Sequence, residues 1–290
     1  MLSEPQRASL AARLRSGRTG SAPNKRSPFV PLNDGPADRK LVLFHAIGGT
    51  VFAYGHLARE LSANLSVWGL PSQPGDPQSP DGLTGSGTVG RPSLASLVTH
   101  YVELLRGFQP QGPYQLAGWS MGGILAYEVA RVLLREGEQV LGVGLLDSPF
   151  WLPDQLPADE AQFVGLFVRD AARSLGADAG SPPDPMTSDV TEQLTWLGQR
   201  LGADSAGPEL AGRYAAFRAN TMMLAGYHPS GPLAADCLIV DVADSSNSSS
   251  LWVDVVRGRA ELRSLPGNHY SFLQPPIVDE VATAIRAVLA

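Results

Sequence analysis

The pattern Gly118-Trp119-Ser120-Met121-Gly122 fits G-x-S-x-G, in which a serine hydroxyl acts as the nucleophile of acyl transfer. An apolar segment precedes it and an amphipathic segment follows it directly. Glycines at 118 and 122 let the backbone pack closely around a sharp turn, which exposes the Ser120 hydroxyl at a helix N-terminus. Because the motif and its surroundings agree, the sequence predicts that Ser120 is a catalytic nucleophile.

A serine hydroxyl is a weak nucleophile and needs a nearby base. The chain has five histidines: His45, His56, His100, His228 and His269. A G-x-S-x-G serine on a strand–turn–helix element is followed in the chain by the acid and then by the base, which lies after the last strand. His269, within the letters PGNHY, meets this requirement and is the predicted base. His45 is interpreted as a residue that shapes its turn, and His100 as structural.

Three aspartates at the ends of predicted strands are candidates for the acid that orients the base. Asp147 ends the strand after the nucleophile, whereas Asp241 and Asp244 end the next strand. The carboxylate would hold the imidazole tautomer and stabilise its cationic form. From the pattern alone, either strand end could reach His269.

Two backbone N–H groups should stabilise the oxyanion. One belongs to Met121, which follows the nucleophile, and the other to the HAIGG turn over 45–49. Ile47 is favoured as the second donor, with Ala46 as the competitor. The sequence shows no G-x-G-x-x-G dinucleotide motif and no metal-binding cluster, and acyl transfer needs neither. We therefore expect no metal and no resident cofactor.

The elements that must position these residues follow from hydrophobic patterning. Continuous apolar runs predict buried strands at 41–45, 65–70, 114–119, 139–147, 236–244 and 260–267. Helical spacing predicts helices at 54–64, 93–108, 121–137 and 277–290. Alternating strands and helices of this kind predict an α/β fold around a mostly parallel sheet.

The alternation breaks over 150–228, where the sequence predicts helices near 158–174, 189–202 and 207–225. We therefore expect one domain over 37–290 that carries a helical insertion at about 150–228. Residues 1–36 are rich in Gly, Pro, Ser and basic residues, and are predicted to form a short helix over 3–15 and a flexible linker.

Composition narrows the function classes. The 290 residues carry a net charge of −6 and a single cysteine, Cys237, which excludes an internal disulfide. The mild acidity gives no support for nucleic-acid binding. We see no run of 18 or more apolar residues and no secretory signal, so we expect a cytoplasmic protein without membrane association.

The chain resembles a known family of enzyme domains. Its segment FQPQGPYQLAGWSMGGILAYEVARVLLREGEQVLGVGLLDSP over 108–149 is similar to the core of thioesterase domains that end non-ribosomal peptide synthetases and polyketide synthases. The resemblance extends over about 40–290 and includes the HAIGG turn and the PGNHYSFL block. It implies an α/β-hydrolase fold with a helical lid. It also places the catalytic acid in the LLDS block, at Asp147.

The resemblance implies a reaction and a partner. His269 would deprotonate Ser120, which would attack the thioester of an acyl or peptidyl chain held on the phosphopantetheine arm of a carrier protein. The acyl-serine would then release an acid, a lactone or a lactam. An editing thioesterase that clears misprimed acyl groups, and a small-ester esterase, are the alternatives. The basic leader, with six basic and two acidic residues, could steer an acidic carrier protein.

Overall fold

A computed structural model describes the protein over residues 27–73, 93–174, 189–200 and 207–289. The helix predicted over 3–15, most of the loop predicted over 71–92, and the Gly/Pro-rich break within the insertion lie outside these residues.

Seven strands form one sheet whose spatial order is β1-β3-β2-β4-β5-β6-β7. They are β1 (Val30–Pro31), β2 (Lys40–Phe44), β3 (Ser66–Leu70), β4 (Tyr114–Trp119), β5 (Val140–Leu146), β6 (Asp236–Val242) and β7 (Ala260–Leu265). All neighbours pair in parallel except β1 with β3. Parallel strands bring their carboxyl ends to one edge of the sheet. The residues that follow β2, β4, β5 and β7 therefore meet there, as an α/β-hydrolase site requires.

Helices cover both faces of the sheet and bury its continuous apolar strands. The described helices are α1 (Gly55–Leu61), α2 (Leu94–Phe108), α3 (Met121–Arg135), α4 (Glu160–Ser174), α5 (Val190–Arg200), α6 (Gly207–Leu224) and α7 (Val278–Leu289). Apolar residues of α2 and α3 form one core with the sheet. Those of α1 and α7 form a second core on the opposite face.

Helices α4, α5 and α6 lie between β5 and β6 in the chain and form the predicted helical insertion, here called the lid. The lid has an apolar core of its own, which includes Phe163, Phe167, Leu197 and Phe217. Ile47 of the main domain packs against that core. Within the described ranges, no helix is both long enough and apolar enough to span a membrane.

The linker predicted to reach residue 36 ends earlier than expected. Phe29 is buried and stacks on Phe108 with 4.3 Å between ring centroids. β1 pairs with β3, and the Asn33 side-chain oxygen accepts the Val67 N–H at 2.9 Å. The Gly/Pro-rich composition predicts a linker here. A strand of two residues is too short to show the alternation of apolar and polar residues from which strands are predicted.

Candidate active site

Ser120 occupies a strained turn between β4 and α3. Its φ of 58° and ψ of −126° are unusual for a residue with a side chain. Its N–H donates to the Leu146 carbonyl at 3.0 Å, and its own carbonyl accepts from Gly123 N–H at 3.1 Å. These bonds hold the serine at the first turn of α3, where unpaired N–H groups and the helix dipole favour negative charge.

The glycines around this turn are required by backbone packing. A Cβ on Gly118 would lie 2.1 Å from the carbonyl carbon of Gly122, and one on Gly122 would lie 2.4 Å from the Phe44 oxygen. Because backbone cannot move aside as a flexible side chain can, both positions accept only hydrogen.

This packing gives a first testable prediction. Gly118→Ala should lower the free energy of unfolding by about 3 kcal/mol or more, the upper range for overpacking a dense core. Gly107→Ala is the matched control: a Cβ there meets nothing within 4 Å, so the change should be neutral or stabilising. Urea denaturation of both variants measures the difference, and equal stabilities would contradict the close-packed turn.

Asp147 and His269 form a hydrogen-bonded pair at the carboxyl edge of the sheet. His269 Nδ1 lies 2.5 Å from Asp147 Oδ2, and Asp147 is fully buried. The other carboxylate oxygen, Oδ1, accepts from Ser249 Oγ at 3.2 Å. Both oxygens of the buried carboxylate therefore have partners, and the carboxylate can fix the imidazole with Nδ1 protonated and Nε2 free to accept a proton.

The other two acid candidates lie elsewhere. Asp244 is exposed, and its N–H donates to the Gly267 carbonyl at 3.0 Å. Asp241 is partly buried, and burial together with the negative charge of Asp147 raises its pKa. Among the described side chains, Asp147 is the carboxylate that the structure places against His269.

The imidazole packs beside the turn that carries Ser120. The Trp119 ring lies 5.0 Å from the His269 ring, centroid to centroid. The Trp119 backbone N–H donates to Tyr54 Oη at 2.7 Å, and that hydroxyl donates to the Phe44 carbonyl at 2.6 Å. Tyr54 thus connects the ends of β2 and β4 and fixes the backbone of Trp119, whose indole packs against His269.

The HAIGG turn, which the sequence predicts to be the oxyanion-hole loop, is held by hydrogen bonds to the Ala46 carbonyl. The Ala46 carbonyl accepts from Gly49 N–H at 2.9 Å and from His45 Nδ1 at 2.8 Å. Since the Ala46–Ile47 peptide is trans, its N–H points away from that carbonyl and takes no part in the turn. That N–H belongs to Ile47 and is the amide predicted to be the second oxyanion donor. Met121 supplies the other predicted amide, as the first residue of α3.

His45 has the structural role expected from its place in the turn. It is fully buried, and its Nε2 lies 2.7 Å from the Tyr101 hydroxyl. If Tyr101 donates to Nε2, the proton of His45 resides on Nδ1 and is donated to Ala46. His100 lies within α2, and His228 is exposed with Nδ1 3.1 Å from the Gly226 carbonyl.

Sequence reasoning missed two side chains that support the acid. Ser249 contacts Asp147 Oδ1, and Asn247 donates to the Asp147 carbonyl at 2.8 Å. The Asn247 amide nitrogen also lies 3.1 Å from His269 Nδ1. The only signal was the polar run SSNSSS over 245–250, directly after β6. Such a run is equally typical of a surface loop, so its contacts could not be assigned in advance.

The fold and this arrangement of residues define an α/β-hydrolase. The thioesterase domain family model matches residues 39–289, and the chain belongs to that family. The sequence-based resemblance to thioesterase domains of synthetases and synthases is thereby confirmed.

Relatives and solved structures agree with this assignment. The chain is 28% identical to the non-reducing polyketide synthase crz7 of Cladonia metacorallifera over 303 residues, which cover 95% of this chain and 13% of the synthase. It is 44% identical over 95 residues to the non-reducing polyketide synthase CTB1 of Cercospora nicotianae, covering 31% of this chain and 4% of the synthase. The chain thus spans a small fraction of the length of these relatives.

Two solved structures share the fold. A four-domain nonribosomal peptide synthetase, AB3403, superimposes with a TM-score of 0.75 at 28% identity, over 95% of this chain and 21% of that chain. The Vlm2 thioesterase domain superimposes with a TM-score of 0.62 at 22% identity, over 89% of this chain and 96% of that chain.

Proposed function

We propose that this thioesterase domain releases an acyl, peptidyl or polyketide chain from the phosphopantetheine thioester of a carrier protein, through an acyl-Ser120 intermediate. The observation that carries the proposal is the buried Asp147 carboxylate 2.5 Å from His269, beside the strained turn of Ser120. Relatives that are polyketide synthases support a carrier protein as the partner. The phosphopantetheine arm belongs to the substrate, and the proposed chemistry needs no resident cofactor.

In the proposed acylation, His269 Nε2 accepts the Ser120 proton while Ser120 Oγ bonds to the thioester carbonyl carbon. The oxyanion lies between the amides of Ile47 and Met121. The C–S bond then breaks as His269 returns its proton to the leaving thiolate. The free phosphopantetheine thiol departs and the acyl group remains on Ser120 as an ester.

Deacylation uses the same groups with a different nucleophile. His269 deprotonates either water or a hydroxyl or amine of the acyl chain, and this nucleophile attacks the carbonyl carbon of the Ser120 ester. The bond between that carbon and Ser120 Oγ then breaks, and His269 returns the proton to Oγ. Water yields a free acid, and an internal nucleophile yields a lactone or a lactam. The lid lies against the HAIGG turn through Ile47, so in this proposal it would form one wall of the space for the acyl chain.

The proposal is tested by intact-protein mass spectrometry after incubation with carrier proteins loaded with different acyl groups. We expect a mass increase equal to the acyl group, located on Ser120, with long chains loading faster than acetyl groups. The lone thiol does not compete, because Cys237 is buried in β6 and burial raises its pKa. Faster removal of acetyl groups would favour an editing thioesterase, and reaction with simple esters alone would favour an esterase.

A further inference from the structure

Two lid side chains bind the two loops that carry the predicted catalytic groups. Asp170, on α4, accepts a hydrogen bond from the Tyr270 hydroxyl through Oδ1 at 3.0 Å. Asn220, on α6, donates from Nδ2 to the Ile47 carbonyl at 2.9 Å. Tyr270 directly follows His269, and Ile47 is the predicted oxyanion donor. The lid therefore contacts the base loop and the oxyanion turn through separate helices.

Tyr270 connects the first of these contacts to the imidazole. Its ring lies edge-on to the His269 ring at 5.2 Å and to the Trp119 ring at 5.7 Å, between centroids. The Trp119–His269 contact completes the set, so the rings of Tyr270, Trp119 and His269 each pack against the other two. Movement of Tyr270 therefore alters the packing of the imidazole, and Asp170 holds the polar end of Tyr270.

Asp170 occupies a partly buried position that is costly for a carboxylate. Its Oδ2 would lie 3.7 Å from a Cβ built on Gly48, which places it over the oxyanion turn. Burial raises its pKa to about 6, although the Tyr270 hydrogen bond and the charges of His269 and Arg173 act in the opposite direction. A carboxylate kept at such a place at the expense of stability suggests a role in activity.

Asn220 also occupies a position where its polar side chain lowers the stability of the fold. It is fully buried, and its Oδ1 has no hydrogen-bond partner among the described residues, although Nδ2 binds Ile47. An unpaired buried amide oxygen destabilises a fold, so an apolar residue would be more stable there. The side chain is better explained by its contact with the oxyanion turn.

We propose that Asp170 and Asn220 are positioning residues of the release reaction, and that from the lid they hold the loops of His269 and Ile47 in their working positions. This inference rests on the proposed function. The proposal predicts that displacement of the lid breaks both hydrogen bonds and lowers the reactivity of Ser120, although neither bond involves the serine.

The test is the second-order rate of Ser120 labelling by a small fluorophosphonate, which needs the base and the oxyanion hole but no carrier protein. Asp170→Ala, Tyr270→Phe and Asn220→Ala should each slow labelling about tenfold, the scale of one hydrogen bond to a charged or buried group. Asp170→Asn keeps an acceptor for Tyr270 and should stay within about threefold of wild type. Arg169→Ala, at an exposed position of the same helix, is the control and should leave labelling unchanged.

A double variant separates positioning from general damage. Asp170→Ala combined with Tyr270→Phe should label no more slowly than the slower single variant, since Tyr270→Phe already removes the contact that Asp170→Ala removes. Multiplied effects would contradict that connection and overturn the proposal. Wild-type rates in Asp170→Ala and Asn220→Ala would also overturn it.

Stability provides a readout that distinguishes positioning from a structural role. Because folding raises the Asp170 pKa from 3.8 to about 6, its ionisation costs stability as pH rises through this range, and the full cost is present above it. Asp170→Asn removes that cost. The Tm of Asp170→Asn relative to wild type should therefore rise between about pH 4 and pH 7.

The labelling experiments distinguish failure of the proposed function from failure of the positioning role. If Ser120 of the wild-type protein does not label, the proposed function fails and this inference fails with it. If the wild type labels and loads acyl groups while the lid variants behave as wild type, only the positioning role is overturned. Slower labelling in Asp170→Ala, together with the pH-dependent gain of Asp170→Asn, supports the positioning role.

Discussion

Ser120→Ala should abolish the acyl-enzyme and reduce thioester turnover by roughly 10⁶-fold, the scale found when a serine hydrolase loses its nucleophile. The variant keeps the glycines and the backbone bonds of the turn, which involve the Ser120 N–H and carbonyl rather than its hydroxyl. We therefore expect a folded protein that lacks only the attacking oxygen. Intact-protein mass spectrometry after incubation with an acyl-loaded carrier should show no added mass.

The matched control for this variant is Ser246→Ala, because Ser246 is exposed and lies outside the predicted site. It should load at the wild-type rate. His269→Ala should resemble Ser120→Ala in turnover, since the serine then has no base. Acyl transfer to Ser120→Ala at another side chain would show that the nucleophile lies elsewhere and would refute the proposed mechanism.

The sequence predicted the sheet and the G-x-S-x-G turn well because both have strong local signals. Strand β4 is observed where it was predicted, and α3 begins at Met121 as its pattern indicates. Glycines at 118 and 122 follow from steric demands that hold at any such turn. These features depend on residues that are close together in the chain, so periodicity and residue type suffice to locate them.

The features that sequence reasoning missed depend on long-range contacts. Ser249 contacts Asp147 across 102 positions of the chain, and Asp170 contacts Tyr270 across 100. Nothing in a polar run or in one acid of an amphipathic helix specifies such a partner. The choice among Asp147, Asp241 and Asp244 was open for the same reason, because strand ends converge in space and spacing alone does not rank them.

Asp147→Asn should lower turnover by roughly 10⁴-fold if the behaviour of serine-protease triads transfers to this site. The substituted amide faces His269 in one of two ways. With its NH₂ group toward Nδ1, it favours the tautomer protonated on Nε2, which cannot accept the Ser120 proton. With its oxygen toward Nδ1, the tautomer is correct, but the negative charge that stabilises the imidazolium is absent. Both orientations slow acylation.

The matched control is Asp244→Asn, which changes an exposed aspartate just after β6. It should retain wild-type kcat/KM for a carrier-bound thioester, because its side chain is exposed and the carboxylate bonded to His269 is that of Asp147. Circular dichroism of both variants checks that each is folded. A crippled Asp244→Asn beside a nearly silent Asp147→Asn would reassign the acid. The opposite result would show that the 2.5 Å contact between Asp147 and His269 is the one that catalysis uses.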